Sequence, residues 1–414
     1  MRVLVQKFGG TSVATAEQRE VAVRLVERAR AKGLAVVVVV SAMGRHGDPY
    51  ATDTLLGLLS GEPAVTPAER DRLVAVGELV SAVILAGALR RHGLDPVVMS
   101  GAEAGIVTDD RHGEARILSV DPEPVLARLR AAQVPVVTGF QGATATGALT
   151  TLGRGGSDTT AAALGAALAA ECVEIYTDVP GVMSADPRQV PAARVVAAAD
   201  YEEVFQLASL GAKVIHPRAI AMAAQTRTPL LVRQLGEEEG SATRIGSSPD
   251  TPDLWQNRRP DASVVGVSVI SDLMQLRVEG TPLTAESIRA LFRCLANAAV
   301  SVDMINVFPE QVAVAIREED WPAAEAALAG LPLRLNRRED AAKVSIVGWA
   351  IHGLPGVMSL VVETLVGAEV PIWATSDSHQ SISCLVPAAR ATAAAQALHQ
   401  AFGLGADHRE EEHA

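Results

Sequence analysis

The sequence is short of several things that whole classes of protein require. Aromatic residues make up 3% of its 414 positions, which leaves few rings on which single-stranded nucleic acid could stack. Basic residues are outnumbered, 36 Lys and Arg against 48 Asp and Glu, for a formal net charge of −12. That balance opposes binding to a phosphate backbone, so no nucleic-acid partner is expected. The three cysteines, Cys172, Cys294 and Cys384, are widely separated and form no CxxC pair. They exclude a zinc ribbon and a disulfide framework and fit a reducing, cytoplasmic setting. The longest pure apolar run, Leu34–Val40, is far below the ~20 residues of a membrane span. Lys7 interrupts the opening MRVLVQK, so neither a signal-peptide core nor a membrane association is expected. What the chain does have is apolar substance: 49% hydrophobic and 20% charged residues, enough to bury large cores in roughly two to three domains.

From residue 1 to about 235 short β-branched runs alternate with helical stretches. The runs are Val3–Gln6, Leu34–Val40, Pro96–Met99, Val134–Thr138, Val173–Tyr176 and Pro229–Arg233. Solid runs such as VVVVV predict strands buried on both faces, hence a parallel sheet covered by helices. Thr66-Pro67-Ala68-Glu69 combines a Thr cap, an early Pro and a Glu at the third helical position. Asp121-Pro122 and Asp200-Tyr201-Glu202-Glu203 repeat that logic. The expectation is an α/β/α sandwich over 1–235 with its chemistry at the carboxyl ends of the strands. The polar, Gly-, Ser- and Pro-rich stretch 236–262 predicts a linker. Beyond it the sequence repeats: 298–316 lies over 368–386 at an offset of 70 without a gap. Each copy reads strand, helix, strand, strand, helix. Two βαββαβ modules are expected, 263–337 and 338–404, with Val264–Ile270 supplying the edge strand that the second lacks and so interlocking the two. Residues 405–414 are expected to fray.

Three loops carry candidate chemistry. QKFGGTSV (6–13) leaves the first strand; Gly9 and Gly10 let the backbone approach phosphate oxygens, and Lys7 adds a point charge. Gly-Gly after a strand also serves a plain tight turn, and no Walker GxxxxGK[ST] is present. Only four of the 36 basic residues are lysine, and two of those, Lys7 and Lys213, fall in glycine-containing loops. In the second loop, Arg154-Gly155-Gly156-Ser157-Asp158 leads into an Ala-rich helix. Arg154 is suited to a bidentate grip on a carboxylate. Asp158 either orients a cation such as Lys7 or caps the helix, a role Ser157 fills equally well. In the third, YTDVPGVMSADPR (176–188), Thr177 and Asp178 end a strand and Arg188 follows a turn. That loop suits a nucleobase and phosphates, or is simply a β-turn. Ser41 ends the VVVVV strand and Glu78 interrupts an apolar helix; each is a site candidate, with a turn cap and a solvated helix edge as the alternatives. His112 and His216 lack partners at ligand or triad spacing and read as structural, His112 being the better placed to border a site.

Taken together these loops resemble the aspartokinase family. KFGGTSV, VVVVVSAMG, AVGE, RHGEARI, VTGFQGA, TTLGRGGSDTTA, YTDVPGVMSADPR and GAKVIHPRA occur in the family's order across residues 3–233, and the C-terminal repeat resembles its pair of ACT modules. GRHGDPYATDTLLGLL and TSDSH are most similar to the diaminopimelate-sensitive class. Thr375-Ser376-Asp377-Ser378 stands where many members carry Ser-Thr-Ser-Glu, which leaves the effector open among diaminopimelate, lysine and threonine. No dehydrogenase follows residue 414, so the form fused to homoserine dehydrogenase is not expected. The resemblance implies an amino-acid kinase fold followed by two ferredoxin-like ACT modules. It implies transfer of a phosphoryl group from ATP to the side-chain carboxylate of L-aspartate, the first step toward lysine, diaminopimelate, threonine and methionine, under feedback control. Carried over by position, Lys7 and Asp158 are catalytic, and Ser41, Thr52, Glu78, Arg154 and Ser157 hold aspartate. Lys7, Gly9, Gly10, Ser12, Thr177, Asp178, Met183, Arg188 and Lys213 hold Mg-ATP. Gly353, Pro355, Gly356, Val357, Ser376 and Asp377 form regulatory positions. Mg²⁺ is expected to be held mainly through ATP, with no protein metal site, and a homodimer is expected through the ACT modules. A carboxylate with a reference pKa of ~4 is already ionised at neutral pH, so the chemistry needs no general base. The rival readings are another kinase of the same superfamily, acting on glutamate, acetylglutamate, carbamate or UMP, and a catalytically silent ACT amino-acid sensor.

Overall fold

The computed structural model describes residues 1–212, 214–236, 240–247, 264–279, 283–348, 351 and 354–405. The chain divides into two compact units. One comprises 1–182, 195–208 and 213–257; the other comprises 183–194, 209–212 and 258–414.

The first unit is built on an eight-stranded sheet. Its order is Ala198–Ala199, Ala242–Ile245, Leu230–Gln234, Cys172–Thr177, Val3–Phe8, Ala35–Val40, Val134–Thr138 and Pro96–Met99. All pairings are parallel except Leu230–Gln234 with Ala242–Ile245. The helices Ala16–Ala31 and Val76–Arg91 pack on one face, over Leu4, Phe8, Val36, Val38 and Val40. The helix Gly156–Ala167 covers the other, where Gly165 meets Val173. Both faces being covered accounts for the unbroken apolar strands. Capping follows the sequence signals. Thr66 and Glu69 bond reciprocally at the start of Pro67–Val74, and Asp200 and Glu203 do so at Tyr201–Ser209. The helical stretch Pro67–Arg91 is long and apolar enough, by length and composition, to cross a membrane. It is instead a core helix, with Ala82, Leu85, Ala86 and Leu89 buried in the sheet's main cluster.

Two features depart from the expectation. A second sheet of four short strands, Ile117–Val120, Ile106–Thr108, Gln141–Thr144 and Leu149–Thr151, lacks the apolar runs that mark the main sheet. Within the stretch expected to be linker, Ala242–Ile245 is a strand of the main sheet, with Thr243 and Ile245 fully buried; only alternate residues face the core, so the segment reads as polar. Residues 237–239 and 248–263 of that stretch, and 406–414 of the expected tail, lie outside the described residues.

The second unit holds one antiparallel six-stranded sheet, ordered Asp303–Val307, Gln311–Arg317, Val264–Glu279, Arg334–Gly348, Ser381–Pro387 and Ala374–Asp377. Its two long central strands bend where Asp272 and Asp340 take positive φ. Beyond the bend Val264–Ile270 pairs with Lys343–Gly348, and Leu273–Glu279 pairs with Gln311–Arg317. Two helix pairs, Ala285–Asn297 with Trp321–Leu328 and Val357–Gly367 with Ala391–Ala401, each cover a separate core. Residues 183–194 join the second of these cores through Ala185 and Val190.

Candidate active site

Strand Val3–Phe8 is hydrogen-bonded on both sides, Lys7 standing in register between Val39 and Ile175. The side chain is held where the sheet ends and the glycine loop begins. Its ammonium meets Asp158 Oδ1 at 2.6 Å, both side chains being almost buried. The contact is an ion pair without hydrogen-bond alignment. Asp158 reaches Lys7 because it does not cap its own helix. The cap is Gly155, in the left-handed region at φ +69, and a Cβ there would run into the His216 ring. His216 in turn caps Pro217–Thr226 by accepting from the Arg218 N–H. This supports the structural reading of His216, and burial lowers its pKa.

Ser41 follows strand Ala35–Val40, its N–H donating to the Phe8 carbonyl at 3.1 Å. Beyond it the Ala42 N–H donates to Glu78 Oε1 at 3.0 Å. Glu78, expected at a solvated helix edge if not in a site, is 2% exposed, and its second carboxylate oxygen has no hydrogen-bond partner among the described residues. Burial pushes its pKa up to about 8. Thr52 opens the short helix Thr52–Gly57.

Lys7, Ser41, Thr52, Glu78, Arg154, Ser157 and Asp158 all line one cavity of about 600 Å³. The same cavity is lined by Asp53, Arg70, Asp71 and Glu114, which the sequence reading passed over, and by His112, which it placed near a site. Arg70, Asp71, Val74 and Glu78 recur at helical spacing, a signal that Glu78 alone could have extended. Neither Arg70 nor Arg154 has an ion-pair partner among the described residues, so two guanidiniums remain available to an anionic ligand. Asp71, 1% exposed, accepts from His112 Nδ1 at 2.7 Å, the Gly113 N–H at 3.0 Å, the Thr151 N–H at 3.1 Å and the Thr151 hydroxyl at 2.5 Å.

The residues expected around the nucleotide form a separate group. Gly9, Gly10, Ser12, Thr177 and Asp178 cluster at the carboxyl ends of two paired strands, Val3–Phe8 and Cys172–Thr177. The Gly9 N–H and the Ser12 hydroxyl both donate to the Tyr176 carbonyl. Gly10 passes so close to the Ala42 carbonyl that a Cβ would overlap it. The loop does not run straight into a helix. A 3-10 turn, Gly10–Ser12, intervenes, and the α-helix starts at Ala16 behind a Thr15–Gln18 capping box. Asp178 pairs with Arg45 at 2.7 Å. Met183 and Arg188 belong to the second unit, where Arg188 pairs with Asp186. Lys213 and Gly353 lie outside the described residues. Pro355 and Gly356 are exposed ahead of helix Val357–Gly367, whose first residue Val357 is half-buried, and Ser376 and Asp377 are exposed on an edge strand.

Comparison with known proteins gives the family of both parts of the chain. The amino acid kinase family matches residues 2–234 and the ACT domain matches residues 336–400. Aspartokinase 1 of Bacillus subtilis is 41% identical over 407 residues, covering 98% of this chain and 100% of its own. An aspartokinase of Geobacillus stearothermophilus is 39% identical over 415 residues, 98% of each chain. The solved structure of E. coli aspartokinase III in complex with aspartate and ADP superposes with a TM-score of 0.77 at 25% identity, covering 97% of this chain and 99% of that one.

Proposed function

The chain belongs to the aspartokinase family, and from that membership we propose the division of labour among its residues. The activity is phosphorylation of the side-chain carboxylate of L-aspartate by ATP. One observation carries the assignment of roles: seven residues drawn from five separate segments of sequence converge on a single cavity. Arg154 binds the α-carboxylate of aspartate and Glu78 receives its ammonium. Ser41, Thr52 and Ser157 complete the contacts. The side-chain carboxylate, ionised at neutral pH, attacks the γ-phosphorus without a base. Lys7 neutralises charge on the transferring phosphoryl group, and Asp158 holds Lys7 in place. Gly9, Gly10, Ser12, Thr177 and Asp178 meet the nucleotide at the strand ends, while the roles of Met183, Arg188 and Lys213 rest on resemblance alone. Among the described residues no cluster of three His, Cys, Asp or Glu side chains offers a metal site, which favours Mg²⁺ arriving with the phosphate oxygens of ATP. Aspartyl-hydroxamate formation tests the assignment. Wild-type enzyme should turn over aspartate in preference to glutamate, and Lys7→Ala should lose roughly 10³-fold in kcat. An unimpaired Lys7→Ala enzyme would return the chain to the silent-sensor reading.

Regulation and assembly belong to the same proposal. Gly356 caps helix Val357–Gly367 in the left-handed region at φ +93, whereas the matching helix Ala285–Asn297 is capped by the Thr284 side chain. That difference supports unequal effector roles for the two modules, the second taking an amino acid such as diaminopimelate, lysine or threonine. The edge strand Asp303–Val307 presents Ile305 and Val307, with Phe308 beside it, each more than half exposed. It is suited to pairing across a homodimer. Three free cysteines suit a cytoplasmic enzyme. Titrating the hydroxamate assay with each amino acid, alongside sedimentation, separates these points.

A further inference from the structure

The face of the large sheet turned away from Lys7 carries a polar patch that the catalytic reading leaves unused. Side chains alternate along a strand, so in Val3–Phe8 Gln6 points to the opposite side from Lys7, between Leu4 and Phe8. Its register partner on the neighbouring strand is Glu174. Gln6 Nε2 donates to Glu174 Oε2 at 2.9 Å, and the Tyr176 hydroxyl donates to the same oxygen at 2.7 Å. Gln6 is 1% exposed, and its Oε1 has no hydrogen-bond partner among the described residues. Glu174 is half-buried and takes both of these bonds on Oε2, which leaves Oε1 without a donor among the described residues. A buried acceptor without a donor is costly to the fold. Two acceptors side by side, one of them anionic, call for a cationic group with several N–H donors.

Gln6, Glu174 and Tyr176 line a cavity of about 580 Å³ that shares no lining residue with the one holding Lys7. Its size is that of a small-molecule site. Leu4, Leu25, Ala29 and Leu34 give it an aliphatic wall. Arg28, Lys32 and Arg233 also line it, while Glu171, the other acid there, is already paired with Arg2. A ligand that was only a cation would face these basic side chains. One that was only an anion would leave Gln6 and Glu174 unmatched. Cys172 brings no reactive group to the cavity: burial, then the charge of Glu174, pushes its thiol up to about 12, so it stays protonated.

We propose that this cavity is a second small-molecule site and that it takes an ω-amino acid. The ammonium sits on Gln6 and Glu174, the alkyl stem lies along the aliphatic wall, and the carboxylate faces the basic side chains. The site stands apart from the phosphoryl-transfer reading and does not depend on it. The test titrates the full chain with ε-aminocaproate by saturation-transfer NMR, with caproate and pentylammonium as its two halves. The zwitterion should bind at least about tenfold more tightly than caproate and about threefold more tightly than pentylammonium. Glu174→Gln keeps an acceptor for Gln6 and Tyr176 and should weaken binding about tenfold. Lys32→Glu, at an exposed position that the fold does not need, should weaken it at least about threefold. Glu78→Gln and saturating aspartate should leave the affinity unchanged. No binding, an affinity no better than that of caproate, or one that neither Glu174→Gln nor Lys32→Glu alters would overturn the proposal. Displacement by aspartate would put the probe in the substrate cavity and overturn it equally. A chain that binds the probe but fails to phosphorylate aspartate would defeat the functional reading alone.

Discussion

At the scale of the residue, Glu78 is the group whose chemistry depends most on its surroundings. Its reference pKa of 4.5 rises to about 8 because burial opposes the charge, and the single bond from Ala42 offsets only part of that cost. Burial therefore favours the protonated form of Glu78 at neutral pH. The folded state binds this proton more tightly than the unfolded one, so stability falls as pH rises from 4.5 through 8, by up to roughly 5 kcal/mol over the full window. A substrate ammonium beside the carboxylate reverses the preference and expels the proton. Two outcomes follow for Glu78→Gln. Its KM for aspartate should rise tenfold or more, and its unfolding free energy should lose the downward slope between pH 6 and 8.5 that the parent shows in urea titrations. An unchanged slope would mean that the carboxylate is not the proton's home.

At the scale of the element, the start of helix Gly156–Ala167 decides whether the site assembles. Gly155 sits at φ +69 against the His216 ring, while Gly147, in the turn between two short strands, has φ +85 and nothing within 4 Å of where a Cβ would stand. Both substitutions to Ala strain the backbone by about 1–2 kcal/mol, but only Gly155→Ala adds a collision. It should therefore cost more than Gly147→Ala in denaturant unfolding and alone should weaken aspartate binding, since Arg154 and Asp158 flank it. Equal losses would remove the His216 contact from the argument. A second element stands in the second unit: helix Ala391–Ala401 carries His399, 2% exposed. The Ser184 hydroxyl accepts from the Arg194 N–H and shares a hydrogen bond of 2.9 Å with His399 Nε2. Burial, then Arg194, lowers the His399 pKa below 6.5. The unfolded chain takes up this proton first, so its contribution to stability is complete above pH 6.5 and drains away below it. His399→Gln should flatten the loss of urea midpoint between pH 7 and 5.5; identical profiles would dismiss the role. The strands and caps were legible in the sequence because burial on both faces leaves unbroken valine runs and a capping box needs fixed residue types. Lys7, Arg154 and Asp158 were legible because charge in a glycine loop is conspicuous. Asp71 was not, since an Asp between two arginines on a polar helix start reads as a solvated pair, and its true partners are 41 and 80 residues away. Strand Ala242–Ile245 was hidden for a similar reason: it contributes only alternate side chains to the core.

At the scale of the whole molecule, the chain repeatedly crosses its own boundaries. Residues 183–194 follow closely on the strand-end loop of Thr177 and Asp178, yet their Ala185 and Val190 are buried in a core of the second unit. Val264–Ile270 opens the sequence of the first module and pairs with Lys343–Gly348 of the second. Such interlocking makes the second module depend on residues from outside its own repeat. Val264 and Val267 are both buried in the second module's core, worth about 1.5–3 kcal/mol apiece. A fragment of that size has only ~3–10 kcal/mol of net stability. Removing the strand also strips Lys343–Gly348 of one of its two pairing partners, leaving only Ser381–Pro387, and so opens an apolar edge. A fragment of residues 339–405 should accordingly show no cooperative melt by circular dichroism and poorly dispersed amide resonances. A fragment of 264–405, which restores the strand, should melt cooperatively, though below the full chain because Ala185 and Val190 are still missing. A folded 339–405 fragment would show that the second repeat is self-sufficient and that the shared strands do not bind the two modules into one folding unit.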